Sequence, residues 1–273
     1  MAPLDSARAK LNRAQAHLET LEEETTRFFA DNAYPIVHDL DADRLYHRYR
    51  VKLGKPFPKT WPLIIGDCAH NARSALDHIA WELAGSDPGD RQTQFPIFVE
   101  ADTFASQGVR TIAKVPPRPR ALIKWLQPCR RPNPPYDPLW GLHVLDAEDK
   151  HKTVSLALSV IEELEFGPRR MPAYSGFRHE LTLTLGPFDP SEDEAVIAEG
   201  RMFFYPLIPG APDPGSADPD GIPDPNVEVD LDPTFGIAIR IETAGMTLFP
   251  ATVILRNYIA CATEVVQMFE RYL

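Results

Sequence analysis

Two periods of apolar residues run through this chain, and their order restricts the folds open to it. Helical spacing dominates the first half and the C-terminus; strand-like alternation dominates the stretch between them. Over residues 5–29, Ala7, Leu11, Ala14, Leu18, Leu21 and Phe28 form one helical stripe, with Asp5 or Ser6 placed to cap the start. Residues 45–53, LYHRYRVKL, alternate instead: Leu45, His47, Tyr49, Val51 and Leu53 share one face of a half-buried strand. A second helix is expected over about 62–84, ended by Gly85. The proline-rich stretch 86–136 is expected to be irregular, with a short helix near 118–126. A third helix is expected from about 137 to 165, stopping at Gly167-Pro168.

The period then changes. HELTLTL (179–185), AVIAEGRMFFY (195–205), NVEVDL (226–231) and FGIAIRI (235–241) read as strands, the last two joined by DPT as a hairpin. The loop GAPDPGSADPDGIPDP separates the second of these strands from the third and carries no core-forming residues. A last helix over 250–272 presents Ile254, Tyr258, Cys261, Val265, Met268 and Tyr272 as its apolar stripe. The expected fold is α+β: a helical bundle with an inserted small antiparallel β-sheet, closed by a C-terminal helix. We read 1–273 as one domain, with a mainly helical part over 1–165 that includes one early strand, a β insertion over 177–242, and the closing helix over 250–273.

Composition excludes several classes. No run of 18 apolar residues marks a membrane span, and the opening MAPLDSARAKLNRA lacks the apolar core of a secretory signal. Cys68, Cys129 and Cys261 have neither disulfide-framework nor zinc-site spacing, so a reducing cytoplasm is the expected location. No glycine-rich phosphate loop, nucleophile elbow or dinucleotide fingerprint is present. The net charge of −11 disfavours broad nucleic-acid binding, but the charge is unevenly spread. Arg110, Lys114, Arg118, Arg120, Lys124, Arg130 and Arg131 lie between Thr103 and Tyr136 with no acid among them. Met202–Ile239 carries seven acids and no base. The basic stretch is either a solvated loop facing the acidic one or a surface for phosphate; on the second view Arg118, Arg120, Arg130 and Arg131 bind substrate.

The chemistry-bearing residues concentrate in GDCAHNARSALDH, residues 66–78. At about 100° per residue, Ile65, Ala69, Ala72, Leu76, Ile79 and Leu83 share one side of the helix. Asp67, His70, Asn71, Arg73, Ser74, Asp77, His78 and Trp81 share the other. Trp81 on the polar side implies that this side is covered, by a second layer or by a partner chain.

RSALDH, Arg73 to His78, fits the Arg-x4-6-His pattern and so resembles that of HEPN domains. HNARSALDH with a later DKH also looks like a motif pair of uncharacterised bacterial and phage proteins. HEPN domains are helical bundles, many of them metal-independent ribonucleases of toxin or phage-defence systems. The resemblance implies RNA as partner, His78 as general base for a 2′-hydroxyl, and Arg73 as a bidentate phosphate contact, with Asn71 beside them. Five residues turn a helix by about 500°, so Arg73 and His78 lie about 140° apart. HEPN proteins meet that difficulty with a homodimer that brings two copies of the motif to one cleft.

A metal site is the competing expectation. Asp67 and His70 form an Asp-x-x-His pair, and Glu148 and His151 a Glu-x-x-His pair of the type used in carboxylate-bridged bundles. The second pair falls opposite the stripe of Leu142, Leu145, Leu156, Ala157 and Val160, whereas Asp146 and Asp149 fall on that stripe. A carboxylate there needs a partner. Asp149 is expected to reach His70, His78 or Arg73 and to act with them. Alternatively His70, Asp77, His78 and Asp149 hold Zn, Mn or Fe for a hydrolase or oxygenase; the ribonuclease reading needs no cofactor. A third class is a non-catalytic interaction protein whose polar cluster fixes packing or a partner. His47 is expected to be a hydrogen-bonded core histidine.

Overall fold

The apolar stripes become helices because each has a neighbour to bury against. In the computed structural model, residues 4–41, 46–87, 90–160, 166–168, 175–184, 186, 188–189, 191–206, 229–231, 234–240 and 250–273 are described. The architecture is α+β, and the chain divides into two compact units.

The first unit takes Met1–Arg27, Pro58–Leu156 and Ile239–Leu273. Its frame is α1 (Asp5–Asp31) and α2 (Thr60–Leu83), then α3 (Pro117–Trp125), α4 (Pro138–His151) and α5 (Ala251–Phe269). A helical run over 101–111 precedes α3 and includes a π-turn at Phe104–Gly108. Helices α2, α4 and α5 pack on one another. Two glycines allow the close approach: a Cβ at Gly66 of α2 would lie 2.0 Å from Asp149 of α4, and one at Gly141 of α4 would lie 2.1 Å from the Tyr258 hydroxyl of α5. Helix α1 is tied to α2 by the Trp61 indole N–H donating to Glu24 (2.9 Å) and by Lys10 donating to Asn71 (3.3 Å).

The buried face of α5 is turned relative to the expected stripe. Leu255, Ile259, Ala262, Val266 and Phe269 join Ile254, Tyr258 and Val265 inside, while Met268 is exposed. Helix α4 starts where expected, with the Asp137 side chain accepting from Leu139 N–H (2.9 Å) and Pro138 in the first turn. It ends at His151 rather than near 165. Lys152 is already extended, and Ser155–Val160 is strand β3. A short apolar run fits both periods, and here the β-branched Thr153 and Val154 lead it out of the helix.

The second unit takes Phe28–Phe57 and Ala157–Ala238. Its four-stranded antiparallel sheet has the order β1 (Ile36–Leu40), β2 (Tyr46–Lys52), β6 (Glu194–Pro206), β5 (Ser175–Leu183). The first half thus holds two strands before α2, a hairpin, rather than one. Tyr46 faces Arg201 and Lys52 faces Glu194, with a register shift between Tyr49 and Arg50. The alternation of β2 is as expected: His47, Tyr49 and Val51 are buried, and Leu53 just beyond the strand is buried with them. His47 Nδ1 lies 2.9 Å from His38 Nε2, so this core histidine is hydrogen-bonded. On the other face Arg50 pairs with Asp39 (2.7 Å) and with Glu194, and Arg48 pairs with Glu199 (2.8 Å).

Strands β4 (Phe166–Pro168) and β7 (Val229–Leu231) pair antiparallel, and β8 (Phe235–Arg240) pairs with β3. The expected β7–β8 hairpin is therefore replaced by pairing of each strand with an earlier partner. Leu45 and the acidic loop at 210–225 lie outside the described residues. Among the described residues, no helix is long and apolar enough to cross a membrane.

Candidate active site

A buried irregular segment decides what happens to Arg73. Phe95, Pro96 and Ile97 are buried without regular structure, so their backbone polar groups need side-chain partners. Arg73 donates from Nη2 to the Phe95 carbonyl (2.8 Å) and from Nη1 to Asp77 Oδ1 (2.7 Å). The same Asp77 oxygen accepts from Phe95 N–H (2.9 Å). Gln127 completes the support by donating to the Pro96 carbonyl (2.8 Å). Arg73 is buried, and its guanidinium is committed to this clasp.

The α2–α4 seam holds a different group. His70 Nδ1 lies 3.0 Å from Asp146 Oδ1. Lys150, one turn further along α4, donates to Asp146 Oδ2 at 2.6 Å. The Asp146 side chain is 4% exposed and that of His70 47%. A carboxylate oxygen accepts, so His70 donates from Nδ1, and in the neutral imidazole this leaves the lone pair on Nε2. Nε2 lies 3.4 Å from Ser74 Oγ, on the next turn of α2. The arrangement is a buried carboxylate orienting a half-exposed imidazole, with an ammonium alongside.

Two further α4 side chains border it. Asp149 is half-buried and packs over Gly66 of α2, as expected of an acid on this stripe, but makes no direct hydrogen bond to His70, His78 or Arg73 among the described residues. Burial raises its pKa, with Asp67 and Asp146 adding to the shift and His70 and Lys150 opposing it. His143 is buried at Nδ1, which has no hydrogen-bond partner among the described residues, and its ring lies 5.4 Å from that of Trp140. Burial lowers its pKa; Arg73 and Lys150 lower it further, against Asp146 and Asp77. Burial thus favours the neutral form of His143, which feels the charges of both the clasp and the Asp146–Lys150 pair.

The other expected residues are dispersed. His78 is half-buried and shares no hydrogen bond with the seam. Asn71 donates to the Asp67 carbonyl (2.7 Å) and accepts from Lys10, turning toward α1. Trp81 donates to the Asp87 carbonyl (3.1 Å), so its own chain partly covers it. His151 is exposed. Arg120 donates to the Val115 (2.8 Å) and Ala113 (2.5 Å) carbonyls. Arg118 and Arg130 are exposed, and Arg131 lies 3.7 Å from Asp137. His70, Asp77, His78 and Asp149 do not converge, and no group of three or more His, Cys, Asp or Glu side chains among the described residues forms a candidate metal site.

Asp146, Lys150, Ser74 and His143 are the residues a sequence reading underweights. The available signals were Asp146 on an apolar stripe and the Asp146/Lys150 spacing of one turn. The chain matches no family model, and comparison with curated proteins and with solved structures finds no match.

Proposed function

We propose that this protein is a metal-independent ribonuclease in which His70 is the general base. The observation that carries the reading is the pairing of half-exposed His70 with buried Asp146. Orientation by a carboxylate leaves the Nε2 lone pair, 3.4 Å from the Ser74 hydroxyl, as the proton acceptor that RNA self-cleavage requires. His70 Nε2 takes the proton of a 2′-hydroxyl, and the 2′-oxygen attacks the adjacent phosphorus. The bond to the 5′-oxygen breaks, and that oxygen leaves with a proton from water. The products are a 2′,3′-cyclic phosphate and a 5′-hydroxyl. Lys150 donates one N–H to Asp146 and keeps two for phosphate oxygens. The base and its orienting acid come from α2 and α4 of one chain, so this version of the HEPN-like chemistry does not need a second copy to assemble the dyad.

A second reading takes the order Asp146–His70–Ser74 as a nucleophilic relay. It is weaker. Ser74 lies mid-helix, where backbone N–H groups are bonded along the helix and offer no oxyanion hole. The test is cleavage of a labelled single-stranded RNA in chelator. Wild type should cleave, and His70→Ala should lose about 10²–10⁴-fold in rate. Labelling of Ser74 by a fluorophosphonate, with no RNA cleavage, would favour the relay instead.

A further inference from the structure

The acid-free basic stretch carries an aromatic feature that the site above does not use. Trp125 ends α3 and is 55% exposed. Ile123 anchors the buried face of α3, and two residues on is about 200° around the helix, which directs the indole outward. The Arg131 guanidinium lies over the Trp125 ring at 4.8 Å from the centroid. Trp125 keeps this exposure with the Arg131 guanidinium stacked on it. Tyr136, 67% exposed, belongs to the 3-10 turn packed against Pro128–Arg130.

This surface is held in place. Gln127 donates to the Pro96 and Ile123 carbonyls (2.8 and 3.0 Å), and Cys129 N–H donates to the Phe98 carbonyl (2.9 Å). Arg131 Nε also lies 3.7 Å from Asp137 Oδ2. On the same segment, Arg118 and Lys124 of α3 and Arg130 just beyond it form no ion pair among the described residues. An exposed indole stacked on a cation, in a segment whose other cations Arg118, Lys124 and Arg130 make no ion pair among the described residues, matches a ligand with planar apolar faces and a polyanionic backbone. A peptide of Asp and Glu alone would meet the cations but brings no aromatic face for the indole.

We propose that the Trp125–Arg131 stack is the platform on which an unpaired base of single-stranded RNA rests, with Arg118, Lys124 and Arg130 contacting phosphates. The inference rests on the ribonuclease reading and names its substrate class: unpaired strands rather than duplex, whose bases are closed to stacking. Asp137, which caps α4 and touches Arg131, stands nine residues before Asp146, roughly 13 Å along the helix. That is a span one short strand can bridge.

The experiment measures binding separately from cleavage. The full chain carrying His70→Ala is titrated against a labelled 12-nucleotide single-stranded RNA, its duplex, and an abasic oligomer of the same length. The single strand should bind tightest. Adding Trp125→Ala should weaken it about 10- to 100-fold, and Trp125→Phe far less. Arg130→Ala should reduce the salt dependence by about 0.7 of a unit in the log–log slope. The RNA should also quench tryptophan fluorescence in the parent chain and much less in Trp125→Phe, a readout that holds even if the alanine variant folds poorly. Equal affinity for duplex or abasic oligomer, binding indifferent to Trp125, or equally tight binding of poly-glutamate would each overturn the platform. Trp125-dependent binding by a chain whose wild type cleaves no RNA would remove the nuclease and leave the platform. Cleavage with Trp125-independent binding would do the reverse.

Discussion

Arg73 and Asp77 stand one turn apart on α2 and together close both hydrogen-bonding ends of Phe95, donating to its carbonyl and accepting from its N–H. Phe95 is buried against Phe269 at the end of α5, so the clasp holds an irregular segment inside the helical core. Arg73→Ala should therefore unfold at lower denaturant, by about 2–4 kcal/mol, because a buried carbonyl and a carboxylate lose their partner. Arg73→Lys should recover only part, since an ammonium cannot span both acceptors in the fork geometry. Equilibrium urea unfolding checks this. A variant as stable as wild type with altered activity alone would return Arg73 to a catalytic role.

Histidine variants separate the His70 dyad from the Arg-x4-6-His expectation. His70→Ala and Asp146→Asn should each lower RNA cleavage, the second by leaving the imidazole with the wrong tautomer. His78→Ala and His151→Ala should stay near wild-type rate, because neither touches the α2–α4 seam group. All four are compared on one RNA in chelator. Loss of cleavage in His78→Ala with His70→Ala unaffected would move the base back to His78.

The helices and the alternation of β2 were legible because each is a local pattern with a single period. Partner choice was not, because it depends on where a helix ends and how two helices rotate against each other. Asp146 and Asp149 occupy the same stripe of α4, and only the approach of α2 over Gly66 decides that the first meets His70 and the second meets backbone. Arg73 read as a catalytic cation because its spacing to His78 was visible, whereas Phe95, its partner, lies 22 residues away in a segment with no period. The β7–β8 hairpin was inferred from a short turn, but pairing in sheets is long-range, and β4 and β3 took those strands.

The neutral His143 gives stability a defined pH dependence. Its folded pKa lies below the ordinary 6.5, through burial first and Arg73 second. As pH falls through about 6.5, the unfolded chain takes up the proton first. Stability is therefore fully present above that value and declines as pH falls toward the folded pKa. His38 and His17, both lowered chiefly by burial, act in the same direction. Asp149, raised, acts in the opposite direction at lower pH, gaining stability as it protonates. His143→Gln should flatten the fall in Tm between pH 7.5 and 5.5 relative to wild type. An unchanged slope would show that His143 takes up its proton equally in both states.

Gly66 and Asp149 supply the sharpest packing test. Glycine inside a helix costs about 1 kcal/mol relative to alanine, so Gly66→Ala on an open surface would stabilise α2. Here the new Cβ would meet Asp149 Oδ1 at 2.0 Å and Cγ at 2.2 Å, separations no side chain tolerates. The short carboxylate must rotate away or α4 must shift, and Gly66→Ala should lower stability by about 1–3 kcal/mol. Asp149→Ala alone should be neutral or stabilising. It removes a partly buried carboxylate, beside Asp67 and Asp146, that makes no hydrogen bond among the described residues. The double variant Gly66→Ala/Asp149→Ala removes the clash and keeps the helix-propensity gain, so it should exceed wild type by up to about 1 kcal/mol. The coupling between the two substitutions should thus be large and favourable, as expected for side chains in contact. Urea unfolding of the four chains in this cycle measures it. Additive effects would mean that the Asp149 carboxylate swings clear of the new Cβ at no cost.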